Sequence, residues 1–379
     1  MPIRGGNAAY EKWLGAQLGG DLVEGDLARK RKKMADSPFG FLRATYWRWA
    51  ETILEVCPDL ADAPPVLAVG DIHLENFGTW RDVEGRIVWG VNDFDEVAEM
   101  PYVLDLVRLA TSAVLAESSE CPPLEIVCSH IVEGYESGLE APDAFVLDRQ
   151  HMWMRTKFVV SEAQRAEFWR KLGEKHEEAK VNARKAEAKN RPIAPPKRFV
   201  KALNAALPDE DIALAYWPRT AGTGSLGRPR WIGFATWRGA PLLREAKALV
   251  PSGWTRAAGN GSARIRLNDI AQGQFRSPDP WYKASGNVLV RRLSPNNRKL
   301  EIGDRIDETT LLHPDMLWAM GRDLAAIHVG VRDRRDAIKA DLDKRKKRWI
   351  RANVEAAAEF VRGEYEEWKT SAKVAAKPK

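Results

Sequence analysis

An α+β fold, with a mainly helical part and a smaller antiparallel β part, is what this sequence predicts, and three observations lead to it. Apolar residues recur at helical spacing through residues 40–56, 104–115, 124–139 and 316–329. Between about 215 and 302 the chain turns β-prone and glycine-rich, with short runs separated by turn residues. A composition of 44% hydrophobic and 30% charged residues over 379 positions supports a sizeable soluble core.

The elements follow in order. Residues 40–56 predict a helix that Pro58 and the Pro64-Pro65 pair end. Residues 66–69 predict a short buried strand entering the run Gly70-Asp71-Ile72-His73-Leu74-Glu75-Asn76-Phe77. Two β-prone runs, 77–80 and 87–91, flank Asp82 to Gly85 as a hairpin, and the second delivers Asn92-Asp93 at its end. Residues 104–115 and 124–139 fit buried helices. Residues 161–190 have helix-forming composition, high charge and little apolar stripe, which predicts a surface arm closed by Arg191-Pro192 and Pro195-Pro196. A boundary is placed between about 191 and 214.

Thr220 to Gly227 is a glycine loop ahead of a strand at 230–237, and Gly239-Ala240 turns into a second strand at 241–250 that contains Lys247. Residues 287–293 predict a further strand. Residues 334–371 are helical by composition, with Trp349, Val354, Phe360 and Trp368 as docking residues, and the last eight residues read as disordered. The chain therefore divides into a helical part over 1–200, a β-rich part over 201–300, and helices over 301–379 that complete the helical part.

Bulk properties narrow the setting. No apolar run approaches the roughly 20 residues that span a bilayer, and the start lacks a signal-peptide core, so a cytoplasmic protein without membrane contact is expected. Cys57, Cys121 and Cys128 have no paired metal spacing and read as small buried hydrophobes. The net charge of +6 gathers in patches, notably 29–33 and 332–351. Such patches suit nucleic acid or anionic lipid, but interleaved acidic residues in the second patch favour a solvated helix face, so nucleic acid is a possible but not favoured partner.

The chemistry-bearing residues lie in two places. Asp71, Asn76 five residues on, and Asp93 beyond the hairpin form the minimum set that phosphoryl transfer needs. One carboxylate orients the acceptor or receives its proton, while an amide oxygen and a second carboxylate hold Mg²⁺ on nucleotide phosphates. Gly222, Gly224, Ser225 and Gly227 followed by Lys247 make a glycine hairpin with a lysine on the next strand, where backbone approaches phosphate and lysine supplies a point charge. A glycine hairpin by itself is a weak signal.

Together these residues resemble the protein-kinase-like superfamily, in particular its aminoglycoside phosphotransferase and choline kinase branch. The likeness rests on Gly70-Asp71, His73, Asn76, Val91-Asn92-Asp93-Phe94-Asp95 and the helix-starting Asp105. A closer resemblance is to a widespread bacterial family of unknown function in the same superfamily, carried by residues 34–43, Asn92 to Glu96, the glycine segment and the lysine strand. The resemblance implies a two-lobed kinase-like fold in circularly permuted order, since the glycine loop and Lys247 follow the catalytic loop rather than precede it. It implies Asp71 as catalytic residue, Asn76 and Asp93 as Mg²⁺ ligands, Gly222, Gly224, Ser225, Gly227 and Lys247 as ATP-binding residues, and His73 and Asp105 as structural supports.

One departure is the missing glutamate for Lys247. None occurs between 248 and 300, and Asp269, Gln272, Gln274 and Glu245 are the alternatives. Asp95 and Glu96 read equally as second-metal ligands or solvated carboxylates, and Arg291 and Arg292 have no assigned role. The expected function is thus an ATP- and Mg²⁺-dependent phosphotransferase acting on a polar small molecule or protein. The alternatives are a nucleotide-binding pseudokinase or regulatory module, and a nucleotidyl (AMP) transferase.

Overall fold

In a computed structural model that describes residues 1–148, 151–188, 193–259, 264–346 and 348–375, helices surround three antiparallel sheets. The architecture is mixed α+β. Strands β1 (Pro65–Ala68) and β4 (Ala98–Pro101) form a two-stranded ribbon. Strands β2 (Phe77–Arg81), β3 (Ile87–Val91) and β5 (Phe145–Val146) form a second sheet. Strands β6 (Ala215–Pro218), β7 (Arg230–Trp237), β8 (Ala240–Ala248), β9 (Lys283–Ser285) and β10 (Val288–Arg292) form the largest, in the order β6-β7-β8-β10-β9.

Pairing register does the work of positioning. In the β2–β3 hairpin Phe77 lies opposite Val91, so the residues just outside the ladder, Asn76 and Asn92, are neighbours, and Asn92 N–H donates to the Asn76 carbonyl at 3.0 Å. The turn is fixed by the Asp82 carboxylate, which accepts from the Arg86 N–H at 2.9 Å, and by Gly85 at φ +76°. At the other ribbon, Ala68 opposes Ala98, which brings the start of the Asp71 loop beside Glu96. A side-chain carbon at Gly70 would lie 2.5 Å from the Glu96 carbonyl and 2.6 Å from the Tyr46 hydroxyl, at φ +82°, so only glycine fits there.

The helical predictions are refined in four places. The helix expected over 40–56 is two helices, Pro38–Ala44 and Tyr46–Val56, because Thr45 leaves helical geometry (φ −123°, ψ 35°). Residues 1–33, unassigned from sequence, form helices Ile3–Leu18 and Glu24–Lys33. The charged helix Glu162–Glu187 starts with a capping box between Ser161 and Gln164, but it is no free arm. Its Phe168, Leu172 and Ala179 pack on Trp217, Ile232 and Leu243 of the large sheet. Finally, the last helix runs to Ala375, into the segment expected to be disordered. Residues 189–192, with the predicted Arg191-Pro192 stop, and 376–379 lie outside the described residues.

One apolar core runs from Ile3 to Trp368 and draws on all three predicted parts. At its centre helix Leu124–Glu140 crosses helix Pro314–Gly330 at contact distance, since a side-chain carbon at Gly134 would lie 1.9 Å from the Trp318 carbonyl and one at Gly321 2.0 Å from the Ile131 carbonyl. Helix Val103–Leu115 is buried on nearly every face. No helix among the described residues is long and apolar enough to cross a membrane.

Candidate nucleotide and metal site

The loop that carries Asp71 is held from beneath. The Asp105 carboxylate, at the first turn of helix Val103–Leu115, accepts from the Val69 and Gly70 N–H groups at 2.7 and 2.9 Å. His328 Nε2 lies 3.0 Å from that carboxylate, and its Nδ1 lies 2.9 Å from the Tyr135 hydroxyl. Each of these residues is buried, so the loop rests on a fully partnered polar chain. His73 Nδ1 accepts from the Glu75 N–H at 3.2 Å, and burial, with Arg43 and Arg108 nearby, holds the imidazole neutral with a pKa well below its ordinary value.

Asp71 itself is paired with the fully buried Arg108, Nη2 to Oδ1 at 2.5 Å. Burial raises its carboxyl pKa, and although Arg108 and Arg43 oppose that, the net shift is upward. Asn76 Nδ2 donates to the Asp71 carbonyl at 2.5 Å, which leaves its Oδ1 as the atom with no hydrogen bond among the described residues. Asp93 stands at the same end, delivered by β3.

Lys247 finds its partner in the second aspartate of Asp93-Phe94-Asp95. Its ammonium lies 2.5 Å from Asp95 Oδ1 and 3.4 Å from Asp93 Oδ1. Burial alone would raise the Asp93 carboxyl, but Lys247, Lys299, Arg291 and Arg230 outweigh it and hold the group well below the usual carboxylate range. Asp95 and Glu96 are neither solvated nor vacant, because Arg228 reaches Asp95 at 3.5 Å and Glu96 at 2.5 Å. Asp269 instead pairs with Arg266.

Glu245, two residues before Lys247 on the same face of β8, serves a different group. Cross-strand register sets Arg291 opposite it, and Arg219, Arg230 and Arg291 approach its fully buried carboxylate at 2.5, 2.9 and 2.7 Å. Burial would push its pKa up, yet the three guanidinium groups hold it well below the carboxylate range. Arg292, the other arginine without an assigned role, pairs with Asp279 at 3.0 Å.

The glycine loop between β6 and β7 is docked on helix Glu24–Lys33. Lys30 Nζ donates to the Gly224 carbonyl at 2.8 Å, Lys33 Nζ to Thr223 Oγ1 at 3.3 Å, Thr220 Oγ1 to Asp26 at 3.0 Å, and Val23 N–H to the Gly227 carbonyl at 3.0 Å. Part of the basic patch 29–33 therefore points inward. A side-chain carbon at Gly224 would sit 3.0 Å from the Arg43 carbonyl and 3.1 Å from Asp71 Oδ2, so the glycine-loop tip touches the Asp71 loop. Ser225 Oγ accepts from Arg230 Nη2 at 2.5 Å.

Asp71, His73, Asn76, Asp93, Gly222, Gly224 and Ser225 line one cavity of roughly 640 Å³. Lys247 meets it through Asp93 and Asp95. Gly227 does not line it but packs on Leu27 at φ +96°, and Asp105 lies beneath the loop. Lys299, Arg219 and Arg230, which sequence reasoning passed over, also line the cavity.

Residues 22–209 match the model of a family described as an uncharacterized protein conserved in bacteria (DUF2252). The likeness to a bacterial family of unknown function is thus supported across the stretch that holds Asp71, Asn76, Asp93 and Asp105. The match ends before the glycine loop and Lys247. No curated protein and no solved structure matches the chain.

Proposed function

We propose that this chain is an ATP- and Mg²⁺-dependent phosphotransferase with a circularly permuted, two-lobed kinase-like arrangement. The observation that carries the reading is the convergence on one cavity of a held carboxylate, Asp71, a free amide oxygen, Asn76, a carboxylate kept ionised, Asp93, and a lysine and glycine loop from a separate sheet. In this arrangement the glycine loop, Arg230 of β7 and Arg291 and Arg292 of β10 line the cavity from the large sheet, and the Asp71 loop with β2 and β3 lines it from the other segments.

The donor set suits the ion. Among the described residues no three His, Cys, Asp or Glu side chains are grouped to hold a metal. Mg²⁺ commonly takes one or two protein oxygens and completes its shell with water and phosphate, and Asn76 Oδ1 with Asp93 offers that pair. When bound, the ion would neutralise charge on the phosphates. Lys247, extended by Asp95, is positioned to take phosphate oxygens, and the glycine loop offers backbone N–H groups. The cavity lining carries nine lysine and arginine side chains against seven carboxylates, a small excess of positive charge that suits an anionic ligand. Asp71, aligned by Arg108, orients an acceptor hydroxyl and receives its proton, so the rate gain comes from positioning and charge.

A second reading, a binding module or a nucleotidyl transferase, is favoured by the contact of Gly224 with Asp71, which leaves little room for an acceptor between them. Incubation of the purified chain and a cell extract with Mg²⁺ and ATP labelled at the γ or the α position separates the readings. Retained γ label on an acceptor is expected; retained α label supports nucleotidyl transfer, and binding without either supports the module.

A further inference from the structure

Lys299 lines the cavity, and its charge helps hold the Asp93 carboxylate ionised. Its backbone bridges to Gly78, and a side-chain carbon at Gly78 would come within 3.0 Å of Lys299 Cγ, so the missing side chain at 78 is what gives the lysine stem its path into the cavity. The other lysines of the site are engaged: Lys247 with Asp95, Lys33 with Thr223, Lys30 with the Gly224 carbonyl. Among the described residues Lys299 makes no hydrogen bond and no ion pair, although it is partly buried and electrostatically close to Asp93, Arg291, Arg43 and Lys247. Its ammonium therefore keeps its hydrogen-bond donors for an anionic ligand that enters this cation-rich recess.

We infer that Lys299 is a phosphate-binding residue at the reacting end of the cavity, taking an oxygen of the terminal phosphate of a nucleoside triphosphate. This rests on the phosphotransferase reading and deepens it. The Arg219, Arg230 and Arg291 guanidinium groups share one carboxylate, Glu245, on the lysine-strand side. Lys299 is held at β2 through its bridge to Gly78 and is electrostatically close to Asp93, which suits it to the end of a chain of phosphates nearest the candidate metal ligands. Two other cations that line the cavity are already paired, Arg43 with Glu75 at 2.5 Å and Arg276 with Asp323 at 3.4 Å.

The test is calorimetric titration of wild type, Lys299→Gln and Lys299→Arg with ATP, ADP and inorganic tripolyphosphate in Mg²⁺. A charge-assisted hydrogen bond to the third phosphate predicts that Lys299→Gln weakens ATP about tenfold or more, leaves ADP within about twofold, and that Lys299→Arg restores most of the loss. Retained ADP binding shows that the variant is folded. Equal loss of ATP and ADP, or no loss of either, overturns the assignment. If wild type binds tripolyphosphate in a Lys299-dependent way but neither nucleotide, Lys299 stands as a phosphate residue while the ATP reading falls. If wild type binds no phosphate compound at all, both fall.

Discussion

At the scale of the residue, the site is a set of charges that fix one another. Asp71 protonates at a higher pH than an ordinary aspartate, whose pKa is about 3.9, because burial outweighs Arg108 and Arg43. Only the ionised form can accept a proton, so transfer should rise with pH through a limb displaced upward from the normal carboxylate range. A pH–rate profile whose acid limb sits at or below that range would contradict the role. Asp71→Asn should abolish labelling yet leave nucleotide binding intact, whereas Asp93→Ala should remove Mg²⁺-dependent binding itself. Glu245→Gln leaves three guanidinium groups facing no carboxylate, and removing one member of a buried ionic set costs about 3–5 kcal/mol, to be read from urea midpoints. Sequence reading singled out Asp71, Asn76 and Asp93, which the fold brings to one cavity, and Lys247, which pairs with Asp95 beside it, because their types and spacing are chemically distinctive. It could not find Asp95 as the partner of Lys247, nor Lys299 in the cavity, because both depend on register between strands far apart in the chain.

At the scale of the element, glycine positions separate packing from chemistry. Gly321→Ala in helix Pro314–Gly330 must push against the Ile131 carbonyl and should destabilise by about 2–3 kcal/mol. Gly363→Ala, in the last helix with open space around it, should instead stabilise by about 0.5–1 kcal/mol. Denaturant curves of the two variants check the pair, and equal shifts would sink the packing argument. The Lys30→Met change removes the ammonium that holds the Gly224 carbonyl. Faster amide exchange over 220–227 is the expected result, with exchange in β2 and β3 unchanged. Periodicity made the long helices and the 77–91 hairpin legible. The three-residue β9 and the two-residue β5 carry too few positions to show a period, and the first two helices have weak stripes because their partners are loops and helices from the other end of the chain.

For the whole molecule, the cavity joins chain segments that share a core but not a neighbourhood in sequence. A ligand bound between them should therefore stabilise the entire fold. Mg²⁺-ATP at a hundred times its Kd predicts about 2.7 kcal/mol, visible as a rise in Tm that chelation of Mg²⁺ removes. A Tm indifferent to Mg²⁺-ATP at millimolar concentration would argue against the nucleotide reading. The predicted partition into 1–200, 201–300 and 301–379 captured composition shifts, but composition is blind to where surfaces meet, and the common core from Ile3 to Trp368 arises only on folding.

The ion pairs that close the cavity also impose an order on its assembly. As the chain leaves the ribosome, Asp93 and Asp95 emerge more than a hundred residues ahead of Lys247, and Arg291 and Lys299 come later still. For that interval the growing polypeptide carries a cluster of carboxylates with no matching cations. A fragment ending short of β8 would hold Asp71, Asn76 and Asp93 and lack the charges that gather around them, so on the phosphotransferase reading a prematurely stopped product would not bind nucleotide at all.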